Sequence, residues 1–380
     1  NNTIVSNING DATSCTSRQE MAQGDLEVDQ GFRWGKSLPV PSVQEMVKRD
    51  PLCVPERYIR DRIDEPGNGA LAASLEIPVI DFSLLSSGLE CERAKLDAAC
   101  KDWGFFQIIN HGIDEEVLHK MRTAMSGFFE LAIDDKKKYS MPADDLQGYG
   151  QAYVISEEQK LDWGDMIFLV TRPTRFRKLK YWPTMVPDFK DTVEVYSAEM
   201  ERVTKELLAN LSLVMNMKKD GLLRLHGEMK QGMRMNYYPA CWRPDEVLGV
   251  SPHSDGSSIT VLLQDDGIVA LQIKHKGMWV PVKPIPNALV VNIGDVLEAW
   301  SNGMYQSIEH RAITNKQTAR MSLASFTLPH DDVEIGPVDQ MVNDHRPKMY
   351  RRVKYVDYLR HTLGRKMDGK AHTHILKLEN

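Results

Sequence analysis

The sequence predicts an α+β fold: helices in the first half, a β-sandwich or barrel in the second, and a helical tail. Three observations carry this. Between residues 190 and 217, Val193, Tyr196, Met200, Val203, Leu207, Leu211 and Val214 recur at steps of three and four, the apolar stripe of one long amphipathic helix. From residue 232 the texture changes to short β-rich runs separated by turn clusters, the spacing of a sandwich or barrel. Helical content then returns near 350–363.

Taken in order, residues 1–38 are rich in Asn, Ser, Thr, Gly, Asp and Gln, show no sustained period, and are expected to form a mobile tail. From Pro39 to about Gly69 the chain is polar and proline-punctuated, with one short helical patch at 43–47. Residues 77–82 read as a first short strand, 90–103 as a helix, and 104–110 as a second, buried strand. Asp114 is a good N-cap for a helix carrying Val117, Met121, Met125, Phe128 and Ala132 on its apolar face. The β-rich runs are 233–238, 258–264, 271–274, 279–282, 288–292, 307–314 and 321–328. The expected organisation is a tail over 1–38, a helical region over 39–225, a β core over 226–335 and a helical tail over 336–380.

Composition narrows the function. A 380-residue chain with 42% apolar residues can bury a large core. The net charge of −6, with both signs interspersed and no basic stripe, points away from a nucleic-acid partner. Five scattered cysteines without a C-x-x-C pair fit neither a disulfide scaffold nor a structural zinc site, and a reducing cytoplasm suits them best. No apolar run is long enough to span a bilayer and the first thirty residues lack a signal-peptide core, so no membrane partner is expected. The chain is expected to act as a monomer on a small-molecule substrate.

The chemistry concentrates in Pro252-His-Ser-Asp-Gly256. On an extended strand, residues i and i+2 share a face, so His253 and Asp255 present an imidazole and a carboxylate together. A second strand containing Ser307-Ile-Glu-His-Arg311 can bring His310 to them. Two histidines and one carboxylate on one side of an ion leave the other side open, the arrangement of non-haem iron(II) oxygenases. The same donors also bind zinc, so the triplet alone leaves both metals open. Ten residues on, Arg320 and Ser322 share a strand face, and a guanidinium with a hydroxyl suits the far carboxylate of a dicarboxylic acid. Asn236 and Tyr238 share the face of a third strand and can add polar contacts to the same acid or to the metal site.

From about Pro39 onward the chain resembles the plant 2-oxoglutarate- and iron(II)-dependent dioxygenases of specialised metabolism, the branch of norcoclaurine-synthase-like and codeine and thebaine O-demethylase-like enzymes. The resemblance rests on Trp103-Gly-Phe-Phe-Gln107, Asn110-His-Gly112, Gly148-Tyr-Gly-Gln151, Asp162-Trp163, Met233-Arg-Met-Asn-Tyr-Tyr-Pro239, His253-Ser-Asp255, Asn292-Ile-Gly-Asp295, Ser301-Asn-Gly303, His310-Arg-Ala312 and Arg320-Met-Ser322. It implies a double-stranded β-helix (jelly-roll) core with an N-terminal helical region. It also implies His253, Asp255 and His310 as iron ligands, Arg320 and Ser322 on the oxoglutarate tail, Asn236 and Tyr238 at the remaining oxoglutarate contacts, O2 as co-substrate and ascorbate as reductant. The intact Asp255 argues against the halogenating variant of this chemistry. The chain departs from the family at Pro239-Ala-Cys-Trp242, where Pro-Pro-Cys-Pro is common, and at Trp300, where a smaller aliphatic is common.

By position in such a fold, Met166, Phe168, Arg234, Phe326 and Leu328 are the expected substrate-pocket residues. Their apolar and aromatic character points to a hydrophobic, alkaloid- or phenolic-like substrate that is hydroxylated or demethylated. Competing expectations are an oxoglutarate-independent iron oxidase of the same fold, a hydrolytic zinc enzyme, and a non-catalytic member that binds a small molecule or hormone.

Overall fold

The β-rich runs of the larger sheet become strands because they alternate side chains between a helix-covered outer face and an inner cleft. The computed structural model describes residues 37–61, 63 and 69–378. The expected tail over 1–38 lies outside the described residues except at its end, where the Ser37 hydroxyl donates to Gln151 O (2.9 Å) and the Leu38 N–H to Val154 O (2.7 Å).

Among the described residues, twelve strands form the two main sheets: β1 (Val79–Asp81), β2 (Phe105–Ile109), β3 (Gly148–Gly150), β4 (Asp165–Arg172), β5 (Lys230–Tyr238), β6 (Leu248–His253), β7 (Ile259–Gln264), β8 (Leu271–His275), β9 (Met278–Pro281), β10 (Leu289–Ile293), β11 (His310–Ile313) and β12 (Arg320–Leu328). The larger sheet has the order β1-β2-β10-β7-β12-β5-β4-β3, and the smaller β6-β11-β8-β9. From β5 to β12 the chain crosses repeatedly between them, which is the winding of a double-stranded β-helix. The fold expectation is met. The helical first half, however, also contributes β1 to β4, which lengthen the larger sheet at both edges.

Alternation along β5 and β12 sorts the core from the cleft. Met233, Met235 and Leu323 are fully buried in the main cluster with Val261 and Leu263 of β7 and with Val193, Met200, Val203 and Leu207 of the helix Phe189–Val214. That helix is the stripe read from the sequence, and it lies against the larger sheet. Removing one such side chain, as in Leu207→Ala, costs about 2–5 kcal/mol. The other parity, Arg234, Asn236 and Tyr238, turns into the cleft. The helix Glu90–Asp102 ends at Gly104, whose left-handed backbone (φ +63°) leads directly into β2. A Cβ there would lie 2.2 Å from Gln306 O, so only glycine fits.

Three elements escaped the periodicity. β6 contains Gly249 and Pro252, which argue against a strand, yet it forms the edge of the smaller sheet, where a missing N–H is tolerated. β4 is a mostly buried strand in a region read as helical. The helix Asp295–Trp300 is only six residues long and buried throughout. No helix among the described residues is long and apolar enough to cross a membrane.

Candidate active site

β6 and β11 are neighbours in the smaller sheet, and His253 and His310 are directly paired across them. Their rings lie 4.2 Å apart, and each Nε2 is 3.5 Å from the same oxygen, Asp255 Oδ1. The three donor atoms fall within 4.8 Å of one another, close enough to hold one metal ion. Both rings are oriented from behind. His253 Nδ1–H donates to Ser251 O (2.8 Å) and His310 Nδ1–H to Ile308 O (3.0 Å). A carbonyl only accepts, so each Nδ1 carries the proton and each Nε2 lone pair faces the gap.

The carboxylate is fixed in the same way. Asp255 Oδ2 accepts from Thr260 Oγ1 (2.7 Å) and Asn292 Nδ2 (2.8 Å), leaving Oδ1 for the metal. Burial pushes the Asp255 carboxyl up, but His310, His253 and Asn292 outweigh it and hold the group well below the usual carboxylate range. Burial, then His253, pushes His310 down to about 4. At neutral pH the cluster is therefore one carboxylate with a neutral His310, the ionisation that a divalent cation needs. Neither Thr260 nor Asn292 was singled out as a site residue from the sequence. The available signal was Asn292, the one polar side chain in the fully buried strand Leu289–Ile293.

β12 and β5 supply a second polar row. Their register pairs Arg320 with Tyr238, Ser322 with Asn236 and Ala324 with Arg234. Asn236 Nδ2 donates to Ser322 Oγ (3.2 Å), and Arg234 Nε donates to Asn236 Oδ1 (2.7 Å). Arg320 is only 3% exposed. Its Nη2 donates to Gln264 Oε1 (3.2 Å) and its guanidinium lies 5.7 Å from the Tyr238 ring, but its Nε has no hydrogen-bond partner. No carboxylate forms an ion pair with it among the described residues. Burial, partly opposed by Tyr238 and Asp265, pulls its pKa below the usual arginine value. A buried cation without a counter-charge is costly, and it suits a site that receives an anion. The Tyr238 ring is held between two glycines, since a Cβ on Gly164 or on Gly249 would lie 2.9 Å from its Cδ1.

These two groups share one cavity of about 70 Å³. Arg234, Asn236, Tyr238, His253, Asp255, His310, Arg320, Ser322 and Phe326 all line it. Of the expected substrate residues, Arg234 and Phe326 face this space. Met166 and Phe168 pair with Asn236 and Arg234 on the neighbouring strand and do not line it; Phe168 lies 6.4 Å from Phe326, ring to ring. Leu328, at the far end of β12, packs against the main core. Trp300 is also in that core, with its ring 4.9 Å from His226, so this departure alters packing away from the cavity. Trp242 is 49% exposed under Lys316.

A jelly roll that carries two histidines and a carboxylate beside a buried arginine defines a non-haem dioxygenase. The chain belongs to the 2OG-Fe(II) oxygenase superfamily, whose model matches residues 229–329, and the N-terminal model of the non-haem dioxygenases in morphine synthesis matches residues 77–188. It is a 2-oxoglutarate- and iron(II)-dependent dioxygenase. It is 44% identical over 354 residues to Lateral Branching Oxidoreductase 1 of Arabidopsis thaliana, covering 90% of this chain and 96% of that protein. It is 38% identical over 347 residues to codeine O-demethylase of Papaver somniferum, covering 90% and 96%. The crystal structure of JOX2 in complex with 2OG, Fe and JA matches with a TM-score of 0.83 at 32% identity, covering 91% of this chain and 100% of that one.

Proposed function

We propose that this dioxygenase oxidises a hydrophobic plant specialised metabolite, alkaloid- or phenolic-like, by hydroxylation or by oxidative O- or N-demethylation, releasing succinate and CO2. In this reading His253, Asp255 and His310 hold iron(II), and Arg320, Ser322, Asn236 and Tyr238 hold oxoglutarate. The observation that carries it is the buried Arg320, an unpaired cation in the same cavity as the metal triplet. A zinc hydrolase has no use for that cation, and oxoglutarate dependence of turnover separates this reading from an oxoglutarate-independent oxidase of the same fold.

When bound, iron(II) and oxoglutarate turn O2 into an oxidant able to attack a C–H bond, with oxoglutarate leaving as succinate and CO2. The chain's own residues supply position and dryness. Arg320 offers its free N–H donors to the distal carboxylate. Asn236 donates to Ser322 Oγ, which leaves the Ser322 hydroxyl proton to donate to the same carboxylate. Ser251 O and Ile308 O keep both imidazoles aimed, and Thr260 and Asn292 keep Asp255 from rotating. Phe105, Leu262 and Phe326 give the cavity an apolar wall that excludes water. Arg234 and Phe326 face the substrate, with Phe168 behind Phe326. Oxidation at a methoxy or N-methyl carbon gives a hemiacetal or carbinolamine that collapses to formaldehyde and the demethylated product, so one site serves both outcomes.

The test is succinate release across a panel of alkaloids, phenolics and small polar acids, with iron(II) and ascorbate as the reductant. Oxoglutarate-dependent turnover of the hydrophobic compounds is expected. Turnover of the small polar acids alone, or turnover without oxoglutarate, would sink the reading.

A further inference from the structure

We infer that most of the substrate lies outside the metal cavity, in an adjoining chamber, and that Tyr153 and Met367, which line that chamber, are specificity-determining residues. The inference rests on the dioxygenase reading for its chemistry but not for its geometry. The metal cavity is about 70 Å³ and also has to accept oxoglutarate. Sites for small organic ligands run to roughly 300–1,000 Å³. The neighbouring chamber, about 430 Å³, is large enough.

The two spaces share a wall. Val250 and His253 of β6 line the inner cavity, Ser251 and Pro252 line the outer chamber, and Arg311 borders both. Met367 lines the outer chamber while packing on Tyr238, Val250 and Ala312 of the inner one. Its segment is clamped in place: the Gly369 N–H donates to Pro252 O (2.9 Å), Lys370 pairs with Glu298 (2.8 Å), and His372 with Asp295 (2.7 Å).

Tyr153 lines the chamber from the loop that follows β3. Its backbone is left-handed (φ +63°), a strained state for a bulky residue that costs about 1–3 kcal/mol. The strain is held by Gln159 Nε2 donating to Tyr153 O (2.8 Å) and by the Val154 N–H donating to Ser37 Oγ (3.3 Å). Such strain recurs where a fold has to deliver one side chain to a site.

The chamber lining mixes Arg60, Lys160, Arg311 and Lys366 with Glu158, Asp162 and Asp368, and Arg60 pairs with Asp162 at 2.9 Å. Four positive and three negative groups leave little net charge, which suits a neutral, hydrogen-bonding ligand better than a strongly ionic one. The substrate class is thus a two-part molecule: an apolar end that reaches past Phe326, and an uncharged polar part, such as a sugar or polyol, in the chamber.

The test uses a methoxylated flavonoid and its O-glucoside, titrated calorimetrically into the full chain and then assayed for succinate release. The glucoside is expected to bind at least tenfold more tightly. Met367→Trp and Tyr153→Ala are each expected to change the glucoside-to-aglycone Kd ratio at least fivefold. Equal affinities in the native chain, no binding of the glucoside, or a ratio within twofold in both variants overturns the inference; a folding defect weakens both ligands alike and counts against it. Selective glucoside binding with no oxoglutarate consumption keeps the chamber and removes only the proposed oxidation of this substrate class.

Discussion

Replacing Arg320 with methionine separates ligand binding from stability in a way that few substitutions can. The side chain is 3% exposed, and its partners are one amide oxygen and a tyrosine ring. Without a bound acid it is a buried cation with no counter-charge, so an apolar replacement of similar size is neutral or stabilising. With oxoglutarate bound it is half of a buried, charge-assisted pair, and truncating one partner of such a pair costs about 2–4 kcal/mol of binding. At 1.4 kcal/mol per tenfold, that is about 30- to 700-fold in Kd. Calorimetric titration of oxoglutarate and a thermal melt of the ligand-free chain measure the two effects. The expected result is a Kd at least 30-fold weaker with an unchanged or higher Tm. A Kd within threefold of the native value, or a collapse of Tm with no change in Kd, refutes the reasoning, because Arg320 would then be structural.

Other consequences follow from neighbouring residues. Asn292→Ala removes one of the two donors to Asp255 Oδ2 and should weaken iron(II) binding about 10- to 100-fold, read by metal titration, with the fold retained. Gly249→Ala puts a Cβ 2.9 Å from Tyr238 Cδ1 and 3.3 Å from Ala312 O. Moving that ring should cost about 1–3 kcal/mol and raise the KM for oxoglutarate, while iron binding stays constant. His226 is fully buried between Leu222 O and Ser258 Oγ, and burial pushes it down to about 4. Its folded pKa lies below the unfolded value near 6.5, so between those values the unfolded chain binds the extra proton and stability falls with acidification. The loss is about 3 kcal/mol from pH 7 to pH 4. Urea midpoints should fall over this window, and the fall should flatten in His226→Gln.

Much of the fold was legible because two periodicities are loud. The steps of three and four between Val193 and Val214 gave the long helix, and the alternation 321–328 gave β12 with Arg320 and Ser322 on one face. β6 was silent for a physical reason. An edge strand tolerates Gly249 and Pro252, and the same two residues erase its signature. Around the metal, residue type and spacing exposed His253, Asp255 and His310. The residues that aim them were harder to find. Thr260 sits in an ordinary alternating strand, and Ser251 and Ile308 act through backbone carbonyls that no side-chain pattern reports. Gln264 gains its meaning only from its contact with Arg320, which pairing across β7 and β12 creates. Tyr153 was invisible because its role depends on a left-handed backbone.

The central claim is that iron held by His253, Asp255 and His310 couples oxoglutarate cleavage to oxidation of the substrate. The most direct measurement is the ratio of succinate formed to substrate oxidised, in the native chain and in Asp255→Ala, with iron(II) and with zinc. A ratio near one is expected with iron(II), and loss of both products with zinc or in the variant. Substrate conversion that persists with zinc, or in Asp255→Ala, would contradict it.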